Sequence, residues 1–446
     1  MELPVRGISP RPSHAVTALV ALTTVSLGLA ACSPGSLGSS GDGDGITLSY
    51  LVPNGAEDVA LAEQLAEDFS AANPDIAIEV ETRPGGGDGD NVVKTRLATG
   101  EMTDVFLYNT GSLFQAINPD RNLVPVTGEE WVDAVDDSFL PTVSAGDDVY
   151  GAPVGSAMGG GVLYNRTVYA ELGLEVPRTW DEFMANNAAI AEAGTTPVIQ
   201  TYADTWTSQL FVLGDFHNVA AAEPDFAESY TDNGAKYATS PAALRGFEHL
   251  QEVAEAGYLN DDFASASYED GLRMVAEGAG AHYPMLTNAI SPMVDAVPDA
   301  AEDVGFFALP GDDEASNGLT MWTPGGVYVP TTTEGEKREA ALRFLAFVAS
   351  PEGCASQSTG QTPSGPYLVA DCELPADAPT AVSDIQSYFD SGAVSPALEF
   401  LSPIKGPALE QITVEVGSGI RTAVSGAELY DEDVEKQAQQ LGLEGW

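Results

Sequence analysis

Apolar positions along the chain switch repeatedly between two periods. Residues 46–52 form a short apolar run of strand type, whereas 59–69 places Val59, Ala62, Leu65, Ala66 and Phe69 at helical spacing until Asn73-Pro74 stops the helix. Residues 76–81 alternate as a strand does, 92–98 reads as a helix closed by Gly100, and Asp104 leads into the apolar strand 105–108. Further helices are expected at 179–193, 241–256, 267–277, 337–349 and 427–441. Apolar strand candidates at 161–164, 304–309 and 326–329 fall between them, with Gly or Pro at most junctions. Strands alternating with helices in this way predict an α/β sheet protein. The stretch Asp88-Gly89-Asp90-Asn91 is read as a loop, because the turn Gly and closing Glu of a calcium-binding loop are not at their required offsets.

The N-terminal pattern is different. Arg6 and Arg11 precede an uncharged, mostly apolar run, 15–31, too short for a comfortable membrane span and followed by no basic stop-transfer cluster, so 1–31 reads as a signal peptide. It ends in Leu29-Ala30-Ala31-Cys32, which resembles the bacterial lipobox. That resemblance implies a mature chain beginning at a lipidated Cys32 and held to the outer face of the cell membrane by more than one acyl chain. Residues 32–45, nearly all Ser, Gly and Asp after the cysteine, form a tether with too little apolar surface to offset the entropy of ordering it.

Charge narrows the function. The 446-residue chain carries 17 basic and 67 acidic residues, a net charge of −50, which excludes nucleic acid as a partner. The acids are spread along the chain and describe a solvated acidic surface, not one acidic site. With Cys32 assigned to lipid, Cys354 and Cys372 remain in a compartment that permits disulfides and are expected to pair, closing a loop of about 19 residues worth roughly 3 kcal/mol.

The sequence signatures of common catalysts are missing. None of Lys94, Lys236, Lys337, Lys405 or Lys436 sits in a phosphate-cradling GxxxxGK[ST] loop, and no Ser sits in a G-x-S-x-G elbow. His217, His249 and His282 lack paired-ligand spacing, so neither metal nor cofactor is expected. A glycosidase needs only two opposed carboxylates, and among so many acids no pair is informative, so that alternative stays open.

Five stretches, in order over about 300 residues, carry a family resemblance. They are FSAANPDIAIEV (69–80); LATGEMTDVF (97–106); VYGAPVG (149–155) followed by VLYNRTVYAELGLEVPRTWDEF (162–183); DVGFFALP (303–310) with Gly325-Gly326; and the helix ending SPEG (350–353). Together they resemble the carbohydrate-type solute-binding proteins of ABC importers, the family of the maltose-binding protein. The resemblance implies a two-lobed, periplasmic-binding-protein-like α/β fold with each lobe discontinuous. The first lobe would comprise 46–154 plus 323–364 and the second 155–322 plus 365–446, joined by hinge crossings near 153–156, 322–326 and 361–366. It also implies a monomeric receptor that catalyses nothing and hands a sugar to membrane permease subunits powered by a separate ATPase.

Within that frame, Thr179, Trp180, Asp181 and Glu182 are a helix start, Asp104 orients a strand, and Asn165 caps. Ligand contacts are expected from loop tips at strand ends: Asn54, Tyr108, Asn109 and Met158, with Trp206 and Trp322 as further aromatics and Tyr108 and Trp206 stacking on the sugar. Two departures from the family pattern leave polyols, sugar acids and glycerophosphodiesters open as ligands. Met158 stands where the family often has a polar residue. In EGAGAHYPMLTN (277–288) His282 replaces a methionine and Asn288 an aromatic, with Tyr283 as the substitute ring.

Overall fold

The computed structural model describes residues 45–446 apart from 444. The signal peptide, Cys32 and all of the tether except Gly45 lie outside the described residues.

Thirteen strands are present among the described residues. In chain order they are β1 (Ile46–Pro53), β2 (Ile76–Arg83), β3 (Val105–Tyr108), β4 (Ser144–Ala145), β5 (Asp148–Val149), β6 (Gly151–Val154) and β7 (Met158–Asn165). They continue with β8 (Thr196–Val198), β9 (Gly280–Leu286), β10 (Val304–Ala308), β11 (Leu319–Trp322), β12 (Gly325–Tyr328) and β13 (Val394–Pro396). One sheet has the order β2-β1-β3-β12-β6; the other runs β13-β11-β7-β9-β8, with β10 also paired to β7. β4 and β5 form a separate small hairpin.

Each sheet anchors its own core. Leu48, Tyr50 and Val105 of the first pack against Leu65 and Phe69 of helix Ala56–Ala72 and Phe344 of helix Gly335–Val348, all essentially inaccessible. The second sheet buries both faces, and its alternation is visible residue by residue. Val162, Tyr164 and Phe307 point into a core shared with helices Trp180–Ala193, Pro241–Glu255 and Ala423–Leu441. Leu163, Phe306 and Ala308 point into another, shared with helices Tyr268–Ala276 and Thr380–Ser391.

The chain passes between sheets at 155–157, between β6 and β7, and at 323–324, between β11 and β12. A third passage leads from Cys372, packed on the first core, to Leu374 and Ala378, packed on a core of the second sheet. The end of helix Pro351–Gly360 and the residues after it are tied to the first passage: Gln357 Oε1 accepts from Gly155 N at 2.6 Å, Ser156 Oγ from Ser364 N at 2.8 Å, and Pro366 O from Ala157 N at 2.8 Å.

Two readings are corrected. Segment 365–372, assigned above to the second lobe, packs on the first: Leu368 and Val369 are buried in its core and Val369 bridges Val135. The apolar side chains of Leu368 and Val369 leave water there, and Cys372 is bonded to Cys354 on the same lobe. Residues 88–91 are not a loop but part of helix Gly86–Thr99. Gly89 is required inside that helix because a side chain would meet Pro84 O at 1.9 Å and an Arg83 guanidinium nitrogen at 2.4 Å.

Helix starts follow their sequence chemistry. Thr179 and Glu182 form a reciprocal capping box, and Asn165 Oδ1 accepts from Val168 N at 2.9 Å. Asp104 accepts from both the backbone and hydroxyl of Ser49 and pairs with Lys337 at 2.7 Å, which joins β3 to β1 and to a later helix.

The cysteine bond ties helix Pro351–Gly360 to the segment that fills the first core. Thiol titration of unfolded, unreduced protein is expected to find neither Cys354 nor Cys372 free, and Cys372→Ser to lower stability by about 2–4 kcal/mol. Two free thiols would contradict the bond.

In the second lobe, burial raises the Asp215 carboxyl to about 8, partly opposed by the Asn218 amide that donates to it at 2.7 Å. An acid whose folded-state pKa lies above its unfolded value contributes most stability below the unfolded value and loses it as pH rises through the folded one. Thermal stability should therefore fall between about pH 4 and pH 8 by an increment that Asp215→Asn removes. Parallel melting profiles for the two proteins would rule Asp215 out.

Candidate functional site

The loop after the carboxyl end of β3 meets the crossing at 323–324, at the edge of the sheet where open α/β sheets hold their ligands. A cavity of about 230 Å³ opens there. Asn109, Thr110, Ser112 and Leu113 line it from the first lobe, Met158, Trp322, Glu399 and Phe400 from the second, and Thr323-Pro324-Gly325 from the crossing.

Sheet register explains the second-lobe wall. Met158 and Trp322 are directly opposed partners on β7 and β11. The Trp322 ring lies over Gly160, where a Cβ would come within 2.4 Å of it, so this strand must carry glycine at that place. Its indole Nε1 donates to Glu399 Oε1 at 2.6 Å, and the other oxygen of Glu399 accepts from Lys405 Nζ at 2.7 Å. A carboxylate held from two sides fixes the plane of the indole, which is 6% exposed and borders the cavity while its ring packs over Gly160. Opposite it, the buried hydroxyls of Thr110 and Thr323 lie 2.9 Å apart.

The expected residues separate into groups. Asn109, Met158 and Trp322 share the cavity. Asn54 is exposed just past the end of β1. Tyr108 is buried beneath the site, 1% exposed, with the Arg83 guanidinium 5.7 Å from its ring centre. Burial raises the Tyr108 hydroxyl and lowers the Arg83 guanidinium from their ordinary values. Trp206 is half-buried against Tyr268, ring centres 5.2 Å apart, and outside this cavity. Tyr283 is enclosed in the second lobe with its hydroxyl 2.7 Å from that of Thr201, so it is a core residue.

Sequence reasoning missed Thr110, Ser112, Glu399 and Phe400. Thr110 and Ser112 lie within three residues of Asn109 and could have been included with it. Glu399 and Phe400 carry no local signal, since only the pairing of β13 with β11 brings them alongside Trp322. Among the described residues no group of three or more His, Cys, Asp or Glu could hold a metal ion. His282 instead bonds Tyr169 and Asn187 inside the core.

The family model for bacterial extracellular solute-binding proteins matches residues 53–353. The chain belongs to this family. Among its relatives, a multiple sugar-binding protein of Streptococcus mutans serotype c is 25% identical over 340 residues, covering 74% of this chain and 77% of that protein. The fold is shared with a chitin oligosaccharide binding protein, at a TM-score of 0.72 and 21% identity over 89% of this chain and all of the other. It is shared also with the solute-binding protein RafE in complex with raffinose, at 0.71 and 19% over 87% of this chain and all of the other. Family membership agrees with a binding cleft between two lobes, and no helix among the described residues is long and apolar enough to cross a membrane.

Proposed function

We propose that the protein is the extracytoplasmic receptor of an ABC importer, capturing a neutral sugar between its lobes and delivering it to membrane permease subunits without altering it. The observation that carries this reading is the cavity at the sheet ends, where an indole fixed by Glu399 faces a set of amide and hydroxyl groups. An aromatic plane matches the apolar face of a pyranose, and Asn109, Thr110 and Ser112 supply donors and acceptors for its hydroxyl groups. The sugar-binding relative and the oligosaccharide-binding neighbours support the same ligand class. The receptor works as a monomer, needs no cofactor, and is tethered through lipidated Cys32.

Ligand-driven closure requires tighter binding to the closed form than to the open one, and a ligand touching both walls of this cavity meets that condition. A thermal-shift screen against sugars, polyols, sugar acids and amino acids should give its largest rise with a sugar, because ligand bound only to the native state raises the melting temperature. Trp322→Ala should then weaken that sugar by about 1–3 kcal/mol, the loss of one buried aromatic face. Hits confined to amino acids would overturn the sugar reading, and unchanged affinity in Trp322→Ala would move the site elsewhere. For the anchor, Cys32→Ser is expected to shift the protein from the membrane to the soluble fraction; an intact mass without acyl chains on the native protein would refute it.

A further inference from the structure

A buried acid sits in the corner that packs next to Trp322. Helices Leu210–Leu213 and Phe216–Ala222 meet there, with Asp215 at the turn, 1% exposed. Thr320 of β11, two residues before Trp322, donates its hydroxyl to Gly214 O at 2.7 Å and accepts from His217 N at 2.8 Å. Both flanks of Asp215 are thereby tied to the strand that carries the indole. Leu213 and Phe216 also border a small pocket together with Trp322, Glu399 and Lys405. A separate cavity, lined by Asp215, Asn218, His249 and Ser316 among others, reaches the acid from the loop 311–316. Both ring nitrogens of His249 lack a protein partner there, the setting in which buried water serves and through which a proton can come and go.

Resting on the carbohydrate reading, we propose that Asp215 couples a proton to the solute site: the neutral acid seats the corner against β11 and holds Trp322, and the ionised acid loosens both, so that solute is bound less tightly at alkaline pH. Asp215 accepts from the Asn218 amide, while the nearby Arg245 guanidinium is bound to Glu248, Glu252 and Asp312. A buried carboxylate without a cation of its own is costly, and burial accordingly raises this carboxyl to about 8, with Asp312 reinforcing the shift and Asn218 and Arg245 opposing it. Of the other groups around the corner, burial lowers His249 and His217 and raises Tyr230 and Tyr237 from their ordinary values. Asp313 lines the cavity, and Glu314 on the same loop pairs with Arg178. Asp215 is therefore the group of the corner whose charge changes between about pH 7 and about pH 9. Above its midpoint the charge draws water into the corner and strains the two bonds to Thr320. By reciprocity, a solute that fixes Trp322 favours the neutral acid, so binding near that midpoint takes up protons.

Two measurements on the purified protein test this. The first needs no sugar: the indole N–H signal of Trp322 in the NMR spectrum, assigned through its loss in Trp322→Phe, is expected to move with a midpoint near pH 8 in the native protein. In Asp215→Asn, whose amide oxygen keeps the bond from Asn218, the signal should stay in place over that range. Thr320→Val leaves the acid but removes the hydroxyl between its flanks and β11, so it should reduce the movement, and it keeps the test decisive if Asp215→Asn fails to fold. A Trp322 signal that does not titrate in the native protein, or that titrates as fully in the variants, overturns the coupling. The second measurement is affinity for glucose, maltose, lactose, xylobiose and chitobiose at about pH 6.5 and about pH 9.5, where the members that bind should bind at least about threefold more weakly at the higher pH in the native protein and equally at both in Asp215→Asn. Equal native affinity at the two pH values overturns the effect on solute. Failure of every sugar to bind would count against the carbohydrate reading, and the indole signal would still decide whether Asp215 acts on Trp322.

Discussion

Strand β12 satisfies its backbone on both sides at once, with Gly326 opposite Tyr108 of β3 on one flank and Pro153 of β6 on the other. Neither neighbour is complete without it, because β3 and β6 would otherwise present open edges. The strand arrives only after the chain has built most of the second lobe and returned, so the first sheet closes through a non-local pairing. Pro153, which lacks an N–H, is tolerated because β6 is the outer strand of the sheet. Two residues, Thr323 and Pro324, separate β12 from β11, which sits between β13 and β7 in the other sheet. The two sheets are therefore coupled at short range, and a rotation of one lobe must be absorbed by that link and its two neighbours.

The site follows from the same constraint. Once β11 is set beside β7, Trp322 is placed opposite Met158, and β13 brings Glu399 to the indole. Once β12 is set beside β3, the loop carrying Asn109 and Gly111 faces that wall, and the Thr110 and Thr323 hydroxyls meet. Tyr108 serves this arrangement from below: its ring is packed with Phe106 and overlain by Arg83, which also donates to Pro84 O at 3.1 Å. The acidic excess plays little part in the cavity itself, where Glu399 is the carboxylate-bearing lining residue and its charge is matched by Lys405.

Much of the fold was legible because local chemistry and burial agree. Helical spacing in 59–69 marked the face that packs on the first sheet, the Thr179–Glu182 pattern marked a capped helix, and the apolar runs at 161–164 and 304–309 became buried strands. The second half of helix Gly86–Thr99 was legible too, but its glycine-bearing start was not, since the reason for Gly89 is a contact with Pro84 and Arg83 that no propensity records. Likewise, an aromatic at the end of an apolar run signals a loop tip equally well whether it faces a cleft, as Trp322 does, or lies buried beneath one, as Tyr108 does.

By itself the sequence determined the alternation of strands and helices, the family motifs and their order, and the absence of recognisable catalytic or phosphate-binding signatures. These depend on residue type and short spacing, which the linear chain displays directly. Only the tertiary structure decided which candidates share a cavity, that Tyr283 belongs to the core, and that Glu399 and Phe400 line the same cavity as Asn109. Those facts depend on strand order and register, through which residues some 290 positions apart, such as Asn109 and Phe400, come to line the same space.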